Sequence, residues 1–432
     1  YHLLAATSLA QLDGDSGDLW DTDRVASQQT LNIEYLGRPL LSGQRVWWKV
    51  RTFDSDGLPS PWSETAFFEM ALLDDSDWSA RWISAPLQGS ATTAAVVPVL
   101  RRSFDVPVAP VSARLRMTAQ GLYHAQINGQ EISAELLTPP WTDYRKRVSY
   151  QTYDVTELLK PGENVVAALL ADGWYAGEPG LGPRQQYGLA PQLFGQLDIE
   201  FASGEVLRVG TDQLWQWQPS WVLQSDVIRG ESSDARQRLS GWSEPGLDTA
   251  QWQTVIVHGP AQQALEPSVH PGLRILREVS PAAAPMVIAD PLQPTRWIYD
   301  FGDALFGRVR LGLNAAAGAA VRLRYGLEVT ANGELAAQVG VDHYTTSGEQ
   351  GERFAPVFAV HGFRYVEVCA DLPTAALESV TAQVVGCDVE RTGAFSCDHD
   401  LLNNLVDGLS RTQQATLQHF PMAGIATSER LG

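Results

Sequence analysis

The side chains in this sequence that suit chemistry are carboxylates set close to tryptophans and arginines. Asp172-Gly173-Trp174-Tyr175 puts an acid two residues from an indole. Glu231 and Asp234 stand three residues apart, just ahead of Arg236, and Ser428-Glu429-Arg430 sets one acid beside one cation. The chain holds 14 Trp, which strengthens a carbohydrate reading. Sugar rings lay C–H faces on aromatic rings, and their hydroxyls bind acids and amides. Each set also has a plainer reading. Asp172 and Trp174 either line a sugar groove or close a strand-end turn around a core indole, the habit of most Trp. Glu231, Asp234 and Arg236 form either a binding cluster or a structural ion pair. An isolated Glu429 would be a solvated charge.

Other chemistries find no support. The sequence has no P-loop, dinucleotide fingerprint, HExxH, CxxC pair or Gly-Xaa-Ser-Xaa-Gly. His343 and His361 lack metal-ligand spacing and read as structural, with His361-Gly362-Phe363-Arg364 a packing corner. No cofactor and no metal are expected. Calcium is conceivable at sugar-binding carboxylates, but no oxygen-ligand loop of recognisable spacing occurs.

These residues need elements to hold them. A length of 432 residues predicts about three domains. With 31 Lys and Arg against 50 Asp and Glu, the net charge of −19 argues against nucleic-acid partners, which need clustered positive charge. Apolar residues at 44% and charged residues at 19% mark a globular chain. No apolar run reaches the ~20 residues of a membrane span, and three cysteines allow at most one disulfide. The 37 Gly and 25 Pro suit many short strands joined by turns. The chain opens at Tyr1 inside what reads as a strand and stops at Gly432 soon after a helix, so it reads as part of a longer protein. Localisation therefore stays open between cytoplasm, periplasm and exterior for a soluble chain.

Residues 1–72 predict a small β-sandwich. Val46, Trp48 and Val50 fall on one face of a strand, with Trp47, Lys49 and Arg51 on the other. The module resembles fibronectin type III with its first strand missing. Residues 73–265 predict a larger, jelly-roll-like sandwich with strands at 113–118, 121–127, 165–170 and 196–201. Asn128-Gly129 is a two-residue hairpin turn in it, because both residues tolerate positive φ. Residues 266–390 predict a further sandwich, with strands at 296–301, 307–313, 320–325, 363–368 and 379–385. From residue 398 the period changes. Leu401, Leu405 and Leu409 recur every four residues, with Leu402 and Val406 widening the face, and Asp398 stands as N-cap. That helix reaches about residue 417.

In this order the motifs resemble the α-L-rhamnosidases of glycoside hydrolase family 78. The likeness rests on Pro140-Trp141-Thr142-Asp143-Tyr144-Arg145-Lys146-Arg147, Ala171-Asp172-Gly173-Trp174-Tyr175-Ala176-Gly177 and Gly230-Glu231 with Asp234-Ala235-Arg236. It continues in Tyr299-Asp300-Phe301-Gly302, His361-Gly362-Phe363-Arg364-Tyr365 and Arg391-Thr392-Gly393-Ala394-Phe395. The resemblance implies a mostly β chain of tandem sandwiches followed, over residues 391–432, by the start of an (α/α)6 catalytic barrel. It implies inverting hydrolysis of terminal α-L-rhamnosides, in which one carboxylic acid protonates the leaving oxygen and a second carboxylate activates water.

The resemblance also places Glu429 on the family's general acid, with Arg430-Leu431-Gly432 matching and Arg430 near substrate. The water-activating carboxylate lies beyond the chain. Ala423 and Ser428 stand where the family has Asp, and Thr427 where it has Arg, which puts rhamnose specificity and activity in question. Asp172, Trp174, Glu231 and Asp234 are the candidates for further sugar contact. The implied partners are rhamnose-containing glycosides or oligosaccharides, and the 432 residues alone are expected to be inactive. The alternatives are a non-catalytic carbohydrate-binding scaffold, and a family member with another sugar specificity.

Overall fold

The computed structural model describes residues 1–180, 182–290, 292–419 and Met422. They divide into two compact units, Tyr1–Ser79 and Ala80–Gly432. The first unit is built on one antiparallel sheet in the order Trp20–Asp21, His2–Ala6, Arg45–Arg51, Ala66–Glu69. Its strand faces follow the alternation of the sequence. Leu4, Ala6 and Trp47 pack with Leu12 of the helix Leu9–Asp13 on one side. Ala5, Val46 and Trp48 pack with Leu19, Tyr35 and Leu40 on the other.

The expected sandwich differs in two respects. Among the described residues this unit has one sheet, and its second face is covered by non-strand chain carrying Tyr35 and Leu40. Lys49, on the strand face that sequence alternation leaves polar, is buried. The short helix covers that face, and the ammonium donates to the Leu12 carbonyl and the Asp15 carboxylate while lying 4.8 Å from the Trp62 ring centroid. The aliphatic stem is thus sheltered and the charge satisfied.

The second unit begins with two facing sheets. One centres on Ser112–Gln120 and Gln192–Glu200, the other on Pro98–Val106 and Gly162–Ala171. Inward residues of both, among them Ile83, Leu100, Met117, Leu170, Leu197 and Trp217, share one core. Asn128 and Gly129 take φ of 51° and 80° and join Leu122–Ile127 to Gln130–Glu131, the turn read from sequence.

A ten-stranded sheet follows, built round Ala320–Val329, His361–Ala370, Gln293–Leu313 and Leu377–Cys387. Its core holds Trp297, Leu311, Tyr325, Phe363 and Val368. The two strands expected at 296–301 and 307–313 are one irregular strand. It keeps Ile298–Asp300 and Leu305–Gly307 on the same neighbour and breaks register between Asp300 and Leu305, where Gly302 takes φ 83°. The hairpin of Val222–Asp226 and Gly230–Asp234 falls within the range expected for the jelly roll. It pairs instead with Leu335–Thr345, through Ser232 and His343, at the edge of the ten-stranded sheet.

The closing helix is Asp400–Thr416. Its N-cap position is His399, with no side-chain cap, and not Asp398. The Asn403 side chain instead ties back to the backbone N–H and C=O of Cys397, at 3.0 and 2.8 Å, and so fixes the chain entering the helix. Leu401, Leu402, Leu405 and Leu409 are exposed. This one helix is what the described residues contain of an all-α domain. No helix among them is long and apolar enough to cross a membrane.

Candidate functional site

Two buried carboxylate networks meet at the hairpin 222–234, and they contain Asp172 and Glu231, two of the four acids singled out in the sequence. The first is built on Arg184. Its guanidinium bonds the Asp172 carboxylate on one side and reaches Asp226 Oδ2 at 2.6 Å on the other, all three side chains being buried. Asp226 Oδ1 also accepts from the backbone N–H groups of Ile228 and Arg229 at 3.0 and 3.2 Å, which shapes the hairpin turn. Burial pushes the Asp172 carboxyl up. Arg184 opposes that, the neighbouring Asp226 adds to it, and the net shift is upward. Gly173, next in the chain, takes φ +51°, and a Cβ there would sit 2.6 Å from Leu122 Cγ and 2.8 Å from the Gly121 backbone. Only glycine lets this turn press on the sheet. Trp174 is 4% exposed and stacks on Trp141 at 5.6 Å between ring centroids.

The second network is built on Glu231, which is 1% exposed. Its Oε2 accepts from the backbone N–H groups of Val357 and Phe358 at 2.9 and 3.0 Å, and its Oε1 from the Ser233 hydroxyl at 3.1 Å. Burial raises its pKa to about 7, with Asp342 adding to the rise and the N–H donors opposing it. Asp342 is wholly buried. Its Oδ1 accepts from the Glu231 N–H at 2.8 Å, and its Oδ2 faces the Tyr325 hydroxyl at 2.5 Å and His361 Nε2 at 3.1 Å. Burial works against the Asp342 charge, but His361 and Tyr325 outweigh it and the carboxyl is lowered. His361 stacks on Tyr325 at 4.0 Å between centroids. Its expected role as a packing corner agrees with this burial.

Asp234 lies apart from both networks. It holds Arg236 through two bonds of 2.9 and 2.8 Å and Gln237 through one. Chiefly because of Arg236, its carboxyl falls to about 2. Asp234 is thus held in an ion pair with Arg236. Asp172 and Glu231 are brought to one hairpin as buried, hydrogen-bonded groups, and Trp174 is buried against Trp141. Glu429 and Arg430, like Ala423, Thr427 and Ser428, lie outside the described residues. The sequence reading missed Arg184, Asp226, Asp342 and Tyr325. No local spacing marks them, because each joins its network through tertiary contact.

Comparison with known proteins bears on this arrangement. Residues 1–74 match a Rha78A-like N-terminal immunoglobulin domain, residues 109–277 an α-L-rhamnosidase N-terminal domain, and residues 290–386 a bacterial α-L-rhamnosidase concanavalin-like domain. The three matches run in order along the chain. The chain carries the N-terminal and concanavalin-like domains of the family 78 α-L-rhamnosidases. An α-L-rhamnosidase of Streptomyces avermitilis is 36% identical over 374 residues, 83% of this chain and 36% of that protein. The structure of a Streptomyces avermitilis α-L-rhamnosidase complexed with L-rhamnose aligns with a TM-score of 0.89 at 26% identity, covering all of this chain and 58% of that one. The structure of the α-L-rhamnosidase from Dictyoglumus thermophilum aligns with a TM-score of 0.91 at 28% identity, covering all of this chain and 49% of the other. The chain thus spans about half the length of the relatives it matches, or less.

Several of the stretches that carry the resemblance prove to be one another's packing partners. Trp141 stacks on Trp174, and Tyr144 meets Tyr175 edge-on at 5.3 Å, so the Trp141–Tyr144 and Asp172–Tyr175 stretches form one aromatic contact. Asp300 and Arg364, from two further motifs, form a bidentate pair at 2.9 Å for each bond.

Proposed function

We infer that this chain is the N-terminal part of an inverting exo-glycosidase that hydrolyses terminal α-L-rhamnosides. The observation that carries this is the ordered match of three family 78 domain models, together with Ser428-Glu429-Arg430-Leu431-Gly432 at the place of the family's acid motif. On this reading Glu429 is the general acid and Arg430 lies near the sugar. The water-activating carboxylate comes from residues outside these 432. Such an acid must be held protonated by burial or by a neighbouring carboxylate. Residues 391–432 then begin an (α/α)6 barrel, behind β units at 1–72, 73–265 and 266–390. The exposed leucine stripe of Asp400–Thr416 supports this, because an amphipathic helix gains most of its stability from a packed partner.

Asp172, through Arg184, ties the jelly-roll unit to the hairpin carried by the ten-stranded sheet, while Trp174, Glu231 and Asp234 are proposed to be structural, supported by the Trp141 stack, the buried Glu231 hydrogen bonds and the Arg236 ion pair. The substitutions at Ala423, Thr427 and Ser428 favour a second reading, a sugar specificity different from that of the family. A panel of aryl glycosides offered to the protein with its helical domain separates the two. Preferential turnover of the α-L-rhamnoside supports the first, and preference for another sugar supports the second. The 432-residue chain, assayed beside it, shows no turnover.

A further inference from the structure

A cavity of about 160 Å³ opens between the jelly-roll sheets and the ten-stranded sheet. Gln126 and Glu131 of the first hairpin, Trp221 and Trp242 of the connecting chain, and Arg353 and Phe354 of the large sheet help to line it. Clefts between packed β units are common ligand sites. The division of hydrogen-bonding groups decides what this one suits.

Its acidic acceptors are already engaged. Glu131 Oε1 accepts from Gln126 Nε2 at 2.7 Å and meets His124 Nε2 at 3.1 Å. Glu231 is held by its three donors. Its donors are open: among the described residues, no hydrogen bond or ion pair holds the guanidinium groups of Arg238 and Arg353 or the indole N–H groups of Trp221 and Trp242. Arg238 lies 5.3 Å from the Trp221 ring centroid, and a guanidinium stacked on a ring keeps its N–H edge free for a planar anion. A neutral sugar brings hydroxyl donors as well as acceptors and would leave some unmatched. A sugar bearing a carboxylate or sulfate brings the acceptors this set lacks, and its C–H face suits an indole.

We propose that this cavity is a non-catalytic binding site for an anionic pyranose residue, a uronate or a sulfated sugar of a polysaccharide. Two unpaired arginines at one cavity, in a chain of net charge −19, give the site its charge selectivity. The proposal concerns binding by these 432 residues and is independent of hydrolysis.

The test is calorimetric titration of the 432-residue chain at low salt with three probes: digalacturonic acid, galactose 6-sulfate and methyl α-L-rhamnoside. At least one anionic probe binds with a Kd of ~1 mM or tighter, and more weakly as salt is added. The double variant Arg238→Gln/Arg353→Gln loses about tenfold or more in affinity, about 1.4 kcal/mol. Both arginines are exposed, so the variant keeps its fold, which an unchanged melting temperature verifies. Whether digalacturonic acid or galactose 6-sulfate binds distinguishes uronate from sulfate. Silence from both anions overturns the proposal, as does an affinity unchanged in the double variant, or a methyl α-L-rhamnoside affinity equal to the anions' and lost with them.

Discussion

Arg184 bridges two buried carboxylates, Asp172 and Asp226, so its loss is costly. A buried acid pair without its cation keeps the full cost of desolvation and adds mutual repulsion. Arg184→Met therefore lowers the unfolding free energy by about 3–5 kcal/mol, read by urea denaturation at neutral pH. Glu231 gives a second expectation, with a sign set by its raised pKa of about 7. A carboxyl that titrates higher in the folded state than in the unfolded one stabilises the fold below the unfolded value. That contribution is lost as pH rises through about 7. Urea midpoints of the wild type should fall between pH 4.5 and 7.5 relative to Glu231→Gln, by up to ~3 kcal/mol in stability. Parallel pH profiles for the two proteins would contradict this. At this scale the sequence singled out Asp172 in the first network and Glu231 and His361 in the second, and hid the rest. Asp172 stood out beside Trp174, and Glu231 beside Asp234. Arg184 and Asp342 sit in unremarkable local contexts and acquire their roles only when distant strands pair.

Elements were more legible than residues, because strand and helix periods are local. The Asn128-Gly129 turn, the two faces of Arg45–Arg51 and the helix near residue 400 follow directly from spacing. What spacing does not show is which sheet an element joins. The hairpin 222–234 falls within the range assigned to the jelly roll and belongs to the edge of the ten-stranded sheet. Nor does it show when a short helix shelters a lysine, as Leu9–Asp13 does for Lys49. The closing helix carries an expectation of its own. Its leucines are exposed and no residue of Asp400–Thr416 is buried, so its amides exchange with solvent well before those of Gly162–Ala171, eight of whose ten residues are buried. Hydrogen exchange on the 432-residue chain measures this, and protection of the helix equal to that of the central strand would contradict it.

At the scale of the whole molecule, the described residues are β units followed by one helix. Asp172, Asp226, Glu231 and Asp342 are held buried and hydrogen-bonded within the β units. The proposed hydrolytic acid is Glu429, in the stretch that follows the closing helix. Stretches that carry the resemblance touch one another, Trp141 on Trp174 and Asp300 on Arg364, and they are legible as contiguous runs, whereas Arg184, Asp226 and Asp342 of the buried networks are single positions and are not. The most direct measurement is the rate of aryl α-L-rhamnoside hydrolysis by the protein carrying its helical domain, compared with its Glu429→Gln variant. Loss of a general acid predicts a fall of about 10²–10⁴-fold with the fold intact. No turnover by the wild type, or a variant as fast as the wild type, would contradict the account.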